Sequence, residues 1–514
     1  MKKKVIIALC LLVAVLCLAA CNGTAKTEKM DAFSVGYAKA DITPKVEWEL
    51  GLVGTNNEKE RILTEALTPL YATCAAISDT EGTTVLLFGT DLLHTATEIT
   101  MAIREQITEK TGIEGKYVQF TASHNHSGPG QVAGYGFENT YLYNEYFIEQ
   151  CVNAALEALE DRKPATMYCA YDRPEGLNFK RYYMLKDGRA VGRSDGSYTQ
   201  ADLYAHTEAA DNLLQIIKFE REGAKSVALV NWQAHYKGLG ADYKTMCHSD
   251  YPGYIRKVLE EQASCETVFL LGASGDMASS SEISAERTPA NESPEVIGTT
   301  LAQTAMKALE GAQPAETGKI HLEENIFHID TNGLTYYLYT FGFGDVGFVM
   351  APYEMYQSNG MDIRTDSPYK MTMIGTLANA SDNNFYLPND AAYDIFNAYG
   401  LSNKYKKGDA GKFHEQYINM LNICFENSGS TQKEKGEGYI MDHSPKSDGV
   451  TYQNPNKEQE IVKVGYGMCQ VMLVKNSQLK TLLAINEDVA KQVVEKDNVQ
   501  LLFDERNIIT GIVE

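Results

Sequence analysis

The sequence predicts an α/β protein built from a large mixed-sheet domain and a small β-rich C-terminal module. Three observations predict it. Apolar runs of strand length alternate with stretches of helical spacing over most of the 514 residues. Several of those runs stop at an ionisable or amide side chain, as strands do where they open into site-forming loops. A polar Ser/Gly/Lys stretch at 428–437 then leads into a series of short strand-like runs.

In chain order, "MKKKVIIALCLLVAVLCLAACNG" has three lysines, an apolar run, and small residues before Cys21. It reads as a secretory signal over residues 1–20, too short and wrongly flanked for a membrane span. Its Leu18-Ala19-Ala20-Cys21 ending resembles the bacterial lipoprotein lipobox. That resemblance implies cleavage before Cys21, lipidation of its thiol, and an exported lipoprotein anchored at the cell surface or facing the periplasm. Residues 21–32 are a polar tether. The main domain, 33–427, opens with strand-like "TTVLLFGTDLL" (83–93) and "KYVQFTAS" (116–123). Between them "TEITMAIREQITEKTG" has helical spacing and stops at Gly112. Phe147, Cys151, Ala154 and Ala158 share a helical face, and Pro164 bars continuation. Further strand candidates are "SVALVNWQA" (226–234), "TVFLLGA" (267–273), "VGFVMAP" (346–352) and "KMTMIGTLAN" (370–379). After the 428–437 linker, residues 438–514 hold "EIVKVGYGMCQVMLV", "KTLLAI", "VQLLFDE" and "NIITGIVE", the small β-rich module.

Composition removes some function classes. With 68 acidic against 46 basic side chains the formal charge is −22. No basic stripe interleaved with aromatics tracks a phosphate backbone, which argues against nucleic acid as a partner. The acidic balance gives no electrostatic help at an anionic membrane, so lipid dealings rest on apolar contacts or a covalent anchor. Of ten cysteines, Cys10 and Cys17 leave with the signal and Cys21 is the anchor. The remaining seven show no CxxC and no regular spacing, hence no disulfide framework and no cysteine zinc site.

The polar groups at the strand ends are Asp91, His124 with His126, His235, Asp276, Glu354, and Asn379 ahead of Tyr386. In open α/β sheets ligands bind outside the carboxyl ends of strands, so these groups are expected to converge. In "FTASHNHSGPG" (120–130) side chains two apart face one way if extended geometry persists past Ser123, but Gly128, Pro129 and Gly130 oppose continuation, so the histidines are expected where a strand opens into a tight loop. Two histidines from separate strands with one carboxylate make a three-ligand zinc set with a position open for water, and a tyrosine oxygen can take a further position. Zinc there lowers the pKa of its water and polarises a carbonyl, as amide hydrolysis requires where no conventional triad is legible. Spacing alone does not select the set from ten histidines.

"SHNHSGPG", "NWQAH", "HSDYPGY", "GASGD", "PYEMYQSNGMDIR" and "NNFYLPNDAAYD", in that order, with "VGYAKADITP" near the start, carry a resemblance. From about Val35 to about Asn427 the chain resembles the neutral/alkaline non-lysosomal ceramidase family, zinc enzymes that hydrolyse the amide of N-acylsphingosines. The resemblance implies zinc ligands at His124, His235 and Glu354, with a tyrosine ligand at Tyr386, where the spacing from Asn379 is about two residues longer than in the family. It implies His126 as a nearby proton-transfer histidine. Asn178 and Arg181 in "LNFKR" resemble the family's N-x-N-R, whose arginine lines the site. A carbonyl-holding tyrosine matches Tyr399, with Tyr393 as rival, and Ser274 lies near the family's serine region without aligning to it. The family's serine-rich segment is replaced by "GASGDMASS", and its long C-terminal immunoglobulin-like extension is absent.

The expected activity is therefore a surface-anchored, zinc-dependent amidohydrolase that uses metal-activated water. Its substrate is a ceramide-like lipid or another N-acylated small molecule. The alternatives are a surface lipoprotein that keeps the fold as a binding module without turnover, and a metal-dependent esterase that shares the machinery.

Overall fold

The computed structural model describes residues 29–54, 60–131, 139–193, 196–329, 333–379, 385–394, 401, 404–441, 445–455, 460–465, 468–504 and 507–513. Among these residues an eight-stranded mixed sheet runs, from edge to edge, Cys265–Leu271, Ser226–Trp232, Leu214–Arg221, Lys163–Asp172, Ser34–Asp41, Tyr71–Ser78, Thr84–Thr90 and Val118–Ala122. The outermost pair at each edge is parallel and the inner pairings are antiparallel. A second sheet of four strands runs His321–Ile329, Leu334–Phe343, Val346–Met350 and Met371–Gly375, its last pair parallel.

Each of these parallel pairs requires a crossover, and a helix supplies it: Thr97–Thr111 between Thr84–Thr90 and Val118–Ala122, Asp250–Ala263 between Ser226–Trp232 and Cys265–Leu271, and Gln357–Asp366 between Val346–Met350 and Met371–Gly375. The first buries Ile99, Ile103 and Ile107 on one face and ends where Gly112 takes φ 75°, the left-handed conformation a glycine adopts without a Cβ penalty. The helix Thr140–Glu160 buries Phe147, Cys151, Ala154 and Ala158, as their spacing predicts.

The two sheets pack face to face. Val35, Leu87, Phe219 and Val268 of one meet Phe341, Phe348 and Met373 of the other. Helices cover both outer faces, giving an αββα stack. Strands buried on both sides read as continuous apolar runs, which is why Thr84–Thr90 and Val346–Met350 are legible in sequence. Each large aliphatic or aromatic side chain so buried contributes about 1.5–3 kcal/mol.

The helix Asp409–Asn427 covers the four-stranded sheet with Phe413, Tyr417 and Leu421. The following chain inserts Tyr439 between the sheets, where its hydroxyl donates to the Thr372 carbonyl and accepts from Thr372 N and Gln215 Nε2. The C-terminal module contains Lys446–Gln453, Val462–Gly465, Met468–Lys475, Gln478–Ala484, Asn498–Phe503 and Ile509–Ile512. Pairing of Gln453 with Val474 closes five of these strands into a barrel-like ring. The run "EIVKVGYGMCQVMLV" is not one strand but two antiparallel ones. Met468, Leu483 and Ile508 of this module pack on Met184 of the main domain. The seven described cysteines are free, and Cys74, Cys151 and Cys247 sit together in one apolar cluster as small hydrophobes.

Candidate metal and catalytic site

The site lies past the carboxyl ends of the parallel pairs, and each ligand candidate arrives differently. The strand Val118–Ala122 ends before the histidine motif, so the histidines sit where the strand opens into a loop and extended geometry does not persist through them. Ser123 N still donates to Thr90 O, but His124 then turns into the left-handed region at φ 58°. That conformation is uncommon for a non-glycine residue and is maintained by its surroundings. Asn125 supplies them: its Nδ2 donates to the carbonyls of Asp91 and His248, and its Oδ1 accepts from Ser127 N. The turn, rather than a shared strand face, brings His124 and His126 together with ring centroids 4.6 Å apart.

His235 follows Ser226–Trp232, whose continuation is held at several points. Gly272 N donates to Trp232 O, Asn178 Nδ2 to Gln233 O, and Tyr251 Oη to Ala234 O. Glu354 comes from a two-residue strand, Glu354–Met355, paired in parallel with Tyr386–Leu387, so Glu354 and Tyr386 are register partners. The Gly-Ala-Ser-Gly-Asp turn closes on this pair: Gly275 N donates to Met355 O, and a Cβ on Gly275 would lie 2.8 Å from Glu354 O. Only glycine lets the two backbones approach so closely.

The imidazoles are aimed by their far nitrogens. His124 Nδ1 lies 3.3 Å from the Leu93 carbonyl, and His235 Nδ1 lies 2.9 Å from the Ser274 carbonyl. A carbonyl accepts only from a protonated nitrogen, so both rings carry a proton on Nδ1, which leaves Nε2 as the nitrogen turned inward. There His124 Nε2 and His235 Nε2 stand 3.3 and 3.0 Å from Glu354 Oε2, and Tyr386 Oη is 3.3 Å from His235 Nε2. Bonds of about 2.0–2.2 Å at tetrahedral angles separate ligand atoms by about 3.3–3.6 Å. The observed separations are close to those edges.

Two further features fit a cation. His124 Nε2, His126 Nε2 and Glu354 Oε2 are buried without a hydrogen-bond partner, a cost that a bound ion removes. Burial, Arg181 and His124 push the His235 pKa down to about 3. Burial works to raise that of Glu354, but His124 and His235 overcome it and hold the carboxyl well below its ordinary range. Neutral imidazoles and an ionised carboxylate are the protonation states a metal takes. The ligand nitrogens of His124, His126 and His235 also lie within 4.8 Å of one another, an overlapping three-histidine set.

His126 has supports of its own. Its ring stacks on Tyr236, centroids 4.0 Å apart and 12° from parallel, and its carbonyl accepts from Arg61 Nη2 at 2.7 Å. Burial, with the charges of His124 and His235, drives its pKa well below 6.5. Arg181 is buried, its backbone N donates to Asp276 O at 2.7 Å, and its charge acts on both His126 and His235. Ser274 meets the site through its backbone carbonyl. Tyr399 lies outside the described residues. Tyr393 is described, and the charges that bear on it are Asp409 and Asp390, not the histidines.

The other strand-end groups serve the scaffold. Asp91 takes Arg256 through both guanidinium ends, at 3.2 and 2.5 Å, and accepts from Tyr71 N. Asp276 receives the buried Lys180 ammonium and Gln357 N. Asn379 receives Arg104 Nη2 and Phe120 N and donates to Gln119 Oε1. Tyr236, Arg61 and the two carbonyls that orient the histidines escaped the sequence reading. Tyr236 directly follows His235, but nothing in its spacing announces a ring stacked on His126.

No protein-family model and no curated protein matches the sequence. Solved structures do match in fold. One is a ceramidase complexed with C2, at TM-score 0.63 and 12% identity, covering 94% of this chain and 92% of that one. Another is the neutral ceramidase from Pseudomonas aeruginosa, at TM-score 0.60 and 13% identity with the same coverage. So wide a match extends beyond residues 35–427. The chain thus has the fold of these ceramidases, with a histidine cluster able to hold a metal ion at its strand ends.

Proposed function

We propose that this chain is a zinc-dependent amidohydrolase that cleaves the amide of a ceramide-like lipid or a related N-acylated molecule. One observation carries the reading: Glu354 Oε2 stands 3.3 and 3.0 Å from the Nε2 atoms of His124 and His235, close to the edges of a tetrahedral metal site, with Tyr386 beside them. His126 is the proton carrier in this reading, its ring face stacked on Tyr236 and its Nε2 without a hydrogen-bond partner beside the ligand set.

A zinc ion held there supplies a Lewis acid for the carbonyl oxygen and makes water nucleophilic near neutral pH. The chain's own residues do the rest. His126 rests neutral, so its Nε2 first accepts the proton released as water adds to the acyl carbon, then delivers it to the departing nitrogen. An amide nitrogen leaves poorly unless protonated, and the products are a carboxylic acid and an amine. Arg181 supports the negative charge that grows on the carbonyl oxygen. Purified protein should contain about one zinc per chain and release fatty acid from an N-acylsphingosine, with chelation abolishing release. Zinc without turnover on amide or ester would leave a binding module, and turnover of esters alone would make it an esterase.

This reading has the chain exported and anchored through Cys21, on the strength of its Leu-Ala-Ala-Cys sequence, with residues 1–28 outside the described structure. Among the described residues no helix is long and apolar enough to cross a membrane. Cys21→Ser should move the protein from the membrane fraction to the soluble one, and a variant that stays membrane-bound would retire the lipobox.

A further inference from the structure

Tyr236 does more than stack on His126: it also lines a neighbouring cavity of about 350 Å³, together with Arg61, Ser127, Lys237, Lys244 and His248. The histidine cluster and this cavity therefore share an aromatic wall. In a chain of net charge −22, three of the lining side chains are cations, against a single lining carboxylate, Glu60. Glu60 pairs with Lys244 at 3.5 Å, where both are exposed and the attraction is screened. Asp250, the buried acid near Lys237, receives the backbone N–H groups of Lys237, Gly238 and Tyr251. The half-buried Lys237 ammonium has no ion-pair partner among the described residues. Arg193 and Arg287 add positive charge to its surroundings, against Asp250 and Glu292. Arg193 is shared with Glu282 at 3.2 Å, and Arg287 donates to the Ser281 carbonyl. The balance beside the cluster is cationic, and a neutral amino-alcohol headgroup offers it nothing to pair with.

We propose that this cavity is the subsite for an anionic group of the substrate, a carboxylate a few bonds from the scissile amide, so that the substrate is an N-acyl amino acid. The proposal deepens the amidohydrolase reading and rests on it for the position of the amide. Lys237 and Lys244 pair with the carboxylate as point charges, and Arg61 contributes charge while its guanidinium N–H groups remain on the carbonyls of Leu52, Val53, His126 and Lys244.

The test uses two sulfonamides that an amidase does not cleave, N-dodecylsulfonylglycine and N-dodecylsulfonylethanolamine, titrated calorimetrically into the full chain. They differ in a carboxylate against a hydroxymethyl group. The glycine compound should bind about tenfold more tightly, the worth of one charge-assisted contact. Lys237→Glu with Lys244→Glu should erase that preference and leave the ethanolamine compound unchanged, and Lys237→Gln should fall between. Equal binding by the parent overturns the subsite, as does a preference that survives charge reversal, since the carboxylate then sits on the histidine cluster itself. Turnover of the corresponding lauroyl amides separates the two readings. Cleavage of N-lauroylethanolamine with no carboxylate preference keeps the hydrolase and overturns the subsite. Carboxylate preference with no cleavage of either amide keeps the subsite and overturns the hydrolase.

Discussion

Two sets of polar side chains stand at the strand ends of this molecule, and they differ in how completely they are satisfied. Asp91, Asp276 and Asn379 are buried and fully engaged with Arg256, Lys180, Arg104 and backbone amides. His124 and Glu354 are buried too and His126 is partly so, yet each keeps a buried atom with no hydrogen-bond partner, all facing one region. An ionisable residue after a strand is thus weak evidence of a site, because such a residue is as useful for locking a loop. The informative feature is the unpaid hydrogen bond, since burying a polar atom alone costs about 1–3 kcal/mol.

Substitutions test that division, beginning with the largest effect. His124→Ala should lose zinc and turnover together, read by plasma mass spectrometry and fatty-acid release. A variant that keeps its zinc would move the metal to another ligand set. His126→Ala should retain zinc and lose turnover by about 10²- to 10⁴-fold, the usual worth of a general acid/base. Loss of zinc instead would favour the three-histidine set.

Asp91→Ala belongs to the other class. It strands the buried Arg256 guanidinium and should cost about 3–5 kcal/mol in denaturant unfolding. The molecules that remain folded should still bind zinc. Smaller again is Gly275→Ala, whose methyl would meet the Glu354 carbonyl at 2.8 Å. An overpacking cost of about 1–3 kcal/mol is expected, together with weaker metal affinity as Glu354 is displaced. Ser274→Ala is its control. The backbone carbonyl that orients His235 is kept, so zinc content and turnover should stay near the parent, and a large loss would restore a role to the hydroxyl.

The helix before Gly112, the face of Phe147, Cys151, Ala154 and Ala158, and the doubly buried strands were legible because periodicity and capping are local. The seven cysteines were not, since spacing distinguishes a disulfide framework but not a packing role, and burial in the core is what accounts for Cys74, Cys151 and Cys247. The split of "EIVKVGYGMCQVMLV" into a hairpin was hidden for a related reason. Apolar content continues through the turn, and only cross-strand pairing reveals the reversal.

By itself the sequence determined an α/β chain with a β-rich C-terminal module, which follows from residue identity and short-range spacing. The order of its motifs, through the resemblance they carry, singled out the histidines, glutamate and tyrosine that lie together. Tertiary structure alone decided which strand-end groups pair off and which stay open. The left-handed turn at His124, the carbonyls of Leu93 and Ser274 that aim the imidazoles, the register of Glu354 on Tyr386, and the Tyr236 ring that touches both His126 and a cationic cavity are all set by residues far apart in the chain. Hydrogen-bond satisfaction is a sum over every neighbour in space, and a linear order of residues does not contain those neighbours.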